Sequence, residues 1–477
     1  MGSRYRIRFA AVAQFAEPTL GKKKKLDAQQ QPPVQPQPPN RARSSRSRYG
    51  CEECRQSRVK CDETFPICGR CTRRGVVCHA ATRESQWQLH LPPSSSIKDD
   101  DEPLLHHWFS TTSQIIVSTS ADDNPFSYPI AQYISPTGSL IHTLKSISAA
   151  HQNFFKPRGL QRCLEERCKA LRAFRQELVR GEQSLQCSFL TAYLLGISSS
   201  YLDRYGVDYG KDHLLAAHAI VGLILADDTA RNHPLTHLIV GAFVYWDMSC
   251  AFLVDTPEQR EIGTPLLDGY ITDTMQQVFH PITGRCTGLF YILCRLGRYV
   301  RRVSETADHN SVLELQFERE LLEWDDETKE DPMWTQTSHA FRSHGLIMLY
   351  RFCGRSSNYP GSPLPAYTTE GCFTTDDLVR NHAVTTISSL LCIPLASRHL
   401  CLQPIPLLTA GAELTSDDAC LRQEVRSRFK ALYSFNRIPA HLAAEELLVS
   451  LWELKDSGQD ITWLELMLLK GWRLRVG

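Results

Sequence analysis

Six cysteines at fixed offsets constrain this chain more than any other feature of its sequence. The spacing C-x2-C-x6-C occurs twice in succession, and its members are Cys51, Cys54, Cys61, Cys68, Cys71 and Cys78. A segment this short has no room for an apolar core, so bound metal or cross-links must supply its folding energy.

Thiolates are soft ligands that suit zinc, which takes four ligands in a tetrahedron. Two zinc ions need eight ligand positions, and six cysteines fill these positions only if two thiolates bridge both metals. Two alternatives remain. One is a single four-cysteine site, which strands Cys61 and Cys78, and the other is a disulfide framework, which an oxidising compartment would favour. The spacing predicts the two-zinc cluster.

The N-terminal part of the chain, residues 1–83, is called the head here, and its charge differs from that of the rest of the chain. The 477 residues include 53 Lys+Arg and 52 Asp+Glu, a net charge of +1. Residues 1–83 hold 18 of the basic residues and 6 of the acidic ones, so the remainder is mildly acidic. This asymmetry indicates that the head meets a polyanion and that the body does not.

Residues 51–78, together with Gly50, resemble the fungal Zn(2)-Cys(6) binuclear-cluster DNA-binding domain. Beyond the cysteines, the shared residues are Arg55, Arg58, Lys60, Asp62 and Pro66. Ser57 departs from the pattern, because that position is often basic in the family, and this puts one phosphate or base contact in doubt.

The resemblance also implies a ligand assignment for two Zn²⁺ ions per chain. In that assignment Cys51 and Cys68 bridge both metals. The other four thiolates act as two pairs. Cys54 and Cys61 complete one zinc site, and Cys71 and Cys78 complete the other.

The first half of the cluster is the predicted DNA-reading element. We expect residues 54–61 to form a short helix that enters the major groove and exposes Arg55, Arg58 and Lys60. Arg58 is the first candidate for a base contact, because a guanidinium can donate two hydrogen bonds to guanine O6 and N7. Lys60 and Arg55 are expected to divide between base edges and phosphates. Further phosphate contacts are expected from Arg70, Arg73, Arg74, Arg46 and Arg48. The family resemblance implies that the DNA target contains CGG-type triplets; the cysteine spacing does not.

The segments around the cluster are low in apolar residues. Residues 1–48 are predicted to be a disordered, basic, Gln/Pro-rich arm, residues 49–80 the Zn(2)-Cys(6) domain, and residues 81–102 a linker. A lysine run in the arm predicts nuclear import through Lys22, Lys23, Lys24 and Lys25. The linker has no sustained heptad repeat and contains two prolines, so no clear coiled coil follows the cluster. Dimerisation is therefore left uncertain, with monomeric binding or pairing through the large domain as the alternatives.

Residues 103–477 have the pattern of a large all-α domain. Alternating strand patterns are scarce, and apolar residues recur at helical spacing, as at Leu164, Cys168, Leu171, Phe174 and Leu178. We predict that residues 99–109 form the first helix. Scattered cysteines are expected to be buried as small apolar residues, including Cys163, Cys168, Cys187 and Cys294. No apolar run reaches the roughly 18 residues of a transmembrane helix, so no membrane partner is expected.

Four stretches of this body resemble the second type of fungal-specific transcription factor domain, namely 124–151, 212–225, 233–249 and 461–474. The resemblance implies a regulatory region that receives transcriptional co-regulators or a small-molecule effector. No acidic cluster is placed at a pocket by an apolar helix, so no enzyme activity is expected.

Together these features predict a nuclear transcription factor that regulates RNA polymerase II transcription in a fungus and reads double-stranded DNA. A role in regulating a metabolic gene cluster is expected only from what the resemblance to this family implies. The alternative is a zinc-dependent protein-interaction or corepressor module without sequence-specific DNA reading. The exposed basic face favours the first interpretation, because a protein-binding zinc module would more often expose apolar side chains there.

Overall fold

The structure is a computed structural model that describes residues 50–62, 67–78, 102–135, 138–153, 159–206, 208–259, 264–324, 331–354 and 374–477. Several predictions from the sequence fall outside these residues. They are the disordered arm 1–48 with its lysine run, Arg46 and Arg48, nearly all of the linker 81–102, and Pro66.

The cysteine module contains two short helices, α1 (Glu52–Gln56) and α2 (Gly69–Arg74). The predicted helix over 54–61 is wrong, because α1 starts earlier and ends at Gln56. Arg58 has a left-handed backbone with φ 54°, and its N–H donates to the carbonyl of Arg55 at 3.0 Å. This turn reverses the chain so that Cys61 returns to the other sulfurs, whereas a continued helix would carry it away.

The body is helical, as the periodicity predicted. Its helices are α3 (Glu102–Ser110), α4 (Ser139–Asn153), α5 (Gly159–Arg180), α6 (Leu185–Ser199), α7 (Lys211–Ala226), α8 (Asp228–Arg231), α9 (Thr236–Cys250), α10 (Pro265–Asp273), α11 (Thr287–Thr306), α12 (Ser311–Leu322), α13 (Pro332–Cys353), α14 (Thr375–Cys392), α15 (Pro404–Gly411), α16 (Ala419–Asn436), α17 (Ala440–Asp456) and α18 (Trp463–Leu469). Within the described ranges, β pairing is limited to an isolated bridge between His280 and Gly284.

One continuous hydrophobic core joins these helices. Helix α9 is apolar on all sides, and nearly every one of its residues is buried, as expected for a helix at the centre of a bundle. Helix α6 lies close beside it. A Cβ atom at Gly196 would approach the ring of Trp246 to 2.2 Å, so glycine allows this contact. The predicted first helix is confirmed as α3, which buries Trp108 and Phe109 in the same core.

The last residues of the chain return to this core. Leu474 and Val476 are buried, and the N–H of Arg473 donates to the carbonyl of Tyr205 at 2.9 Å. Gly206 has φ 72°, and a Cβ atom there would lie 1.9 Å from the carbonyl oxygen of Arg473. The close approach therefore requires glycine.

The prediction that the scattered cysteines are buried is partly wrong. Cys163 and Cys294 are buried, but Cys168 is exposed and Cys187 is half-buried. Cys168 lies on the outer face of α5, opposite the buried face that carries Cys163 and Phe174. Periodicity identified this helix correctly, but it did not show which of its faces is covered.

None of the described helices combines the length and apolarity that a bilayer-spanning helix requires.

Candidate metal centre and nucleic-acid interface

The six sulfurs of the cysteine module form two overlapping groups of four. One group contains Cys51, Cys54, Cys61 and Cys68, and the other contains Cys51, Cys68, Cys71 and Cys78. Within each group all Sγ atoms lie within 4.8 Å of one another, and all six residues are buried. Cys51 and Cys68 belong to both groups.

The two shared cysteines occupy equivalent places in the two halves. Cys51 is the N-cap residue of α1, and Cys68 is the N-cap residue of α2. The backbone N–H of Cys71 donates to the Sγ of Cys68 at 3.4 Å. Burial raises the pKa of the Cys68 thiol, but hydrogen bonds from Cys71 and from the Cys51 and Cys54 thiols outweigh it and lower the pKa to about 7. The backbone N–H of Cys71 favours a thiolate at Cys68, because a donor aimed at the sulfur stabilises its charged form.

The sulfur spacing matches zinc and not disulfides. The Sγ of Cys51 lies 3.7 Å from that of Cys68 and 3.7 Å from that of Cys71. Two sulfurs about 2.3 Å from one tetrahedral zinc ion are about 3.8 Å apart, whereas a disulfide bond is about 2.05 Å long. Neither Cys61 nor Cys78 is left outside a four-sulfur group. The donor set therefore fits zinc, and disulfides do not account for this geometry.

Asp62 joins the two halves of the module. Its carboxylate oxygens accept from the backbone N–H of Gly69 at 3.0 and 3.1 Å, at the first residue of α2. A Cβ atom at residue 69 would lie 2.6 Å from the Oδ2 of Asp62, so the carboxylate uses the space that glycine leaves. From the sequence, Asp62 was singled out but Gly69 was missed, although the sequence has a glycine directly after Cys68.

The predicted DNA-contacting residues that the structure describes lie on the outside of the module. Arg55, Arg58 and Lys60 are exposed on the first half, Arg73 and Arg74 are exposed on the second, and Arg70 is half-buried. Arg74 Nη1 lies 3.5 Å from the hydroxyl of Ser57, so the two halves contact each other at the position where the family pattern is broken.

The second half of the module also contacts α16 of the body. The ammonium group of Lys430 donates to the carbonyl of Gly75 at 3.3 Å, and the hydroxyl of Ser434 donates to the carbonyl of Cys78. Arg55, Arg58 and Lys60 remain exposed in this arrangement. No motif in α16 signals this contact.

Two four-sulfur groups that share two cysteines, next to an exposed basic turn, define a zinc-cluster protein. Family models agree with that class. The fungal Zn(2)-Cys(6) binuclear cluster domain matches residues 49–88, and the fungal specific transcription factor domain matches residues 103–477. The chain belongs to the family of fungal transcription factors with this domain, and its cysteine module is a zinc-binding domain.

Curated relatives match the chain over short segments. A Zn(2)-C6 fungal-type transcription factor, afumD, of Aspergillus fumigatus is 43% identical over 53 residues, which are 11% of this chain and 14% of that protein. A Zn(2)-C6 fungal-type transcription factor of Gibberella zeae is 36% identical over 59 residues, 12% of each chain. Sterol uptake control protein 2 of Candida albicans is 52% identical over 33 residues, 7% of this chain and 5% of that protein. The chain thus spans a small part of these relatives. No solved structure matches it.

Proposed function

We propose that the protein is a sequence-specific, DNA-binding regulator of RNA polymerase II transcription that acts in the nucleus. The observation that carries this proposal is the exposure of Arg55, Arg58 and Lys60 beside the buried six-sulfur group. Membership in a transcription factor family implies a non-enzymatic role.

The six cysteines would hold two zinc ions per chain. Cys51 and Cys68 would bridge both ions, while Cys54 and Cys61 complete one site and Cys71 and Cys78 the other. Bound zinc here is structural, because it supplies the folding energy that a module without an apolar core lacks. The sharing of Cys51 and Cys68 between the two groups supports this assignment.

The left-handed turn at Arg58 would present the base-reading guanidinium. Because α1 ends at Gln56, Arg58 projects from the turn beyond the helix and not from a helical face. We assign it to guanine in CGG-type triplets, with Lys60 and Arg55 divided between bases and phosphates. Phosphate contacts are assigned to Arg70, Arg73, Arg74, Arg46 and Arg48.

The remaining segments would serve this activity. We assign residues 1–48 to a basic arm with nuclear import through Lys22–Lys25, residues 49–80 to the DNA-binding domain, and residues 81–102 to a linker. Residues 103–477 would form the regulatory domain that receives co-regulators or a small-molecule effector. The genes that the protein regulates would belong to a metabolic gene cluster.

Duplex binding by the zinc-loaded full chain tests this function. Affinity for a CGG-containing duplex should exceed that for a scrambled duplex, and log K should fall linearly with log[salt]. Arg58→Gly removes the guanidinium without straining the left-handed backbone, and it should reduce discrimination by about 1–3 kcal/mol. Arg74→Ala is the control, which should weaken both duplexes alike.

Two results would contradict the proposal. If Arg58→Gly lowered the affinity for the CGG-containing and the scrambled duplex equally, Arg58 would not read a base. Absence of binding to any duplex would favour the protein-interaction or corepressor module instead.

A further inference from the structure

We propose that the outer face of α5 is a self-association surface on which a second copy of this chain packs in antiparallel orientation. Three leucines repeat on this face at seven-residue spacing, and each is substantially exposed, with Leu164 at 44%, Leu171 at 38% and Leu178 at 53%. Leu160 extends the same face at 40% exposure. A leucine at every seventh residue is the pattern of helix pairing.

The exposed face is concentrated and is not a scatter of single residues. Of the twelve large hydrophobic side chains that are exposed in the described part of the chain, five lie on α5. Contiguous exposed apolar surface on a folded protein marks an interaction site, whereas isolated exposed leucines do not.

The orientation of α5 is fixed by a buried stripe that runs directly beside the leucines, since Phe174 lies one helix turn from both Leu171 and Leu178. Cys163, Ala170 and Phe174 are buried against the body, and the buried Arg167 donates to the carbonyl of Leu195 at 2.7 Å. Helix α5 therefore cannot rotate its leucines inward without exposing these groups. Within the described ranges, no segment of the chain covers the leucine face.

The charges beside the leucines indicate which occupant fits. Glu165 and Arg172 are exposed and lie seven residues apart on the same flank of the face. In an antiparallel pair related by a two-fold axis, Glu165 of each copy lies near Arg172 of the other, and the symmetry forms this pair twice. A parallel pair places identical residues at the same height and gains no such contact.

The local contact of Glu165 does not compete strongly with this pairing. Its carboxylate accepts from the side-chain amide of Gln161 at 2.8 Å and lies 4.0 Å from the guanidinium of Arg162, and both contacts lie within one turn of the helix surface. Exposed contacts of this kind contribute little, so the carboxylate is free to exchange partners on association.

Sedimentation equilibrium of the full chain without DNA tests the surface, so its outcome is independent of the proposed function. The wild-type chain should be dimeric at about 10 µM, in the range of weak specific association. Leu164→Glu with Leu171→Glu should raise the dissociation constant at least about 100-fold while the helical circular dichroism is retained. Leu223→Glu is the matched control, because Leu223 is a comparably exposed leucine (57%) on a different helix, α7, and its substitution should leave the dimer intact.

A charge exchange tests the antiparallel orientation. Glu165→Arg alone and Arg172→Glu alone should each weaken self-association about tenfold. An equimolar mixture of the two variants should recover it as a heterodimer, because each reversed charge then faces its complement. A monomeric wild type, an unaffected leucine double variant, or a mixture that shows no recovery would each overturn the proposal, the first two in favour of a different occupant of this face.

Discussion

The Sγ atoms of Cys51 and Cys68 lie 3.7 Å apart, and each belongs to both four-sulfur groups of the cysteine module. Each residue precedes a short helix, so the two halves of the repeated sequence meet at these two sulfurs. One substitution at a shared cysteine therefore removes a sulfur from both four-sulfur groups, whereas one at an unshared cysteine removes a sulfur from a single group.

That difference gives the first prediction. Cys68→Ser should remove a ligand from both groups and reduce the zinc content of the chain to near zero, whereas Cys61→Ser should retain about one ion. Zinc per chain can be measured by elemental analysis after gel filtration. Cys168→Ser, at an exposed cysteine of α5, should keep the wild-type content. If Cys68→Ser and Cys61→Ser lost equal amounts of zinc, this would contradict the sharing of Cys68 between the two four-sulfur groups.

The contact between Asp62 and Gly69 gives a second prediction. Gly69→Ala should weaken zinc retention, because its Cβ atom would lie 2.6 Å from the Asp62 carboxylate. A cost of about 1 kcal/mol, typical for a lost helix cap, would speed zinc transfer to a chelator about fivefold. Gly222→Ala is the control, because a Cβ atom there meets nothing within 4 Å. Unchanged transfer from Gly69→Ala would show that the carboxylate does not need this space.

A buried ion pair in the body gives a third prediction. Arg298 donates to both carboxylate oxygens of Asp247, at 2.5 and 2.7 Å, between α9 and α11. Asp247→Asn should destabilise the protein by about 3–5 kcal/mol, because the largely buried Arg298 cation loses its counter-charge. Chemical denaturation measures this loss. Asp228→Asn removes a carboxylate from an exposed pair and should cost less than about 1 kcal/mol, so equal losses would exclude a special role for the buried pair.

Buried histidines give a fourth prediction, for the dependence of stability on pH. Burial lowers the pKa of His344 to about 4, and that of His280 to about 4. Such a side chain stays neutral in the folded protein but is protonated in the unfolded chain below its ordinary pKa of about 6.5. Stability should therefore be fully present above about pH 6.5 and fall as the pH decreases toward 4.

The check on this mechanism is His344→Gln, which keeps a polar side chain beside Thr409, the present hydrogen-bond partner of His344 at 2.8 Å. The slope of unfolding free energy against pH between 4 and 6.5 should become shallower by at most about 1.4 kcal/mol per pH unit. An unchanged slope would show that protonation of this residue is not coupled to unfolding.

The sequence predicted those features that one local rule determines. Cysteine spacing identified the zinc cluster, because each ligand pair must reach one ion from a tight turn. Apolar periodicity identified the all-α body, including α5. Both rules act over a few residues and need no knowledge of distant partners.

The features that were missed depend on contacts between distant segments. The helix over 54–61 ends early because Cys61 must rejoin sulfurs from both halves of the module. The hydrogen bond from Ser434 to the carbonyl of Cys78 joins residues more than 350 positions apart. The outward direction of Leu164 depends on which side of α5 the body covers, and periodicity alone does not contain that information.

Native mass spectrometry of the intact chain, purified with zinc present, tests the central claim most directly. The account predicts a mass increase of two zinc ions per chain, because the six sulfurs fill two four-ligand positions when Cys51 and Cys68 are shared. A chain that carries one zinc ion or none, with all six thiols reduced, would contradict it.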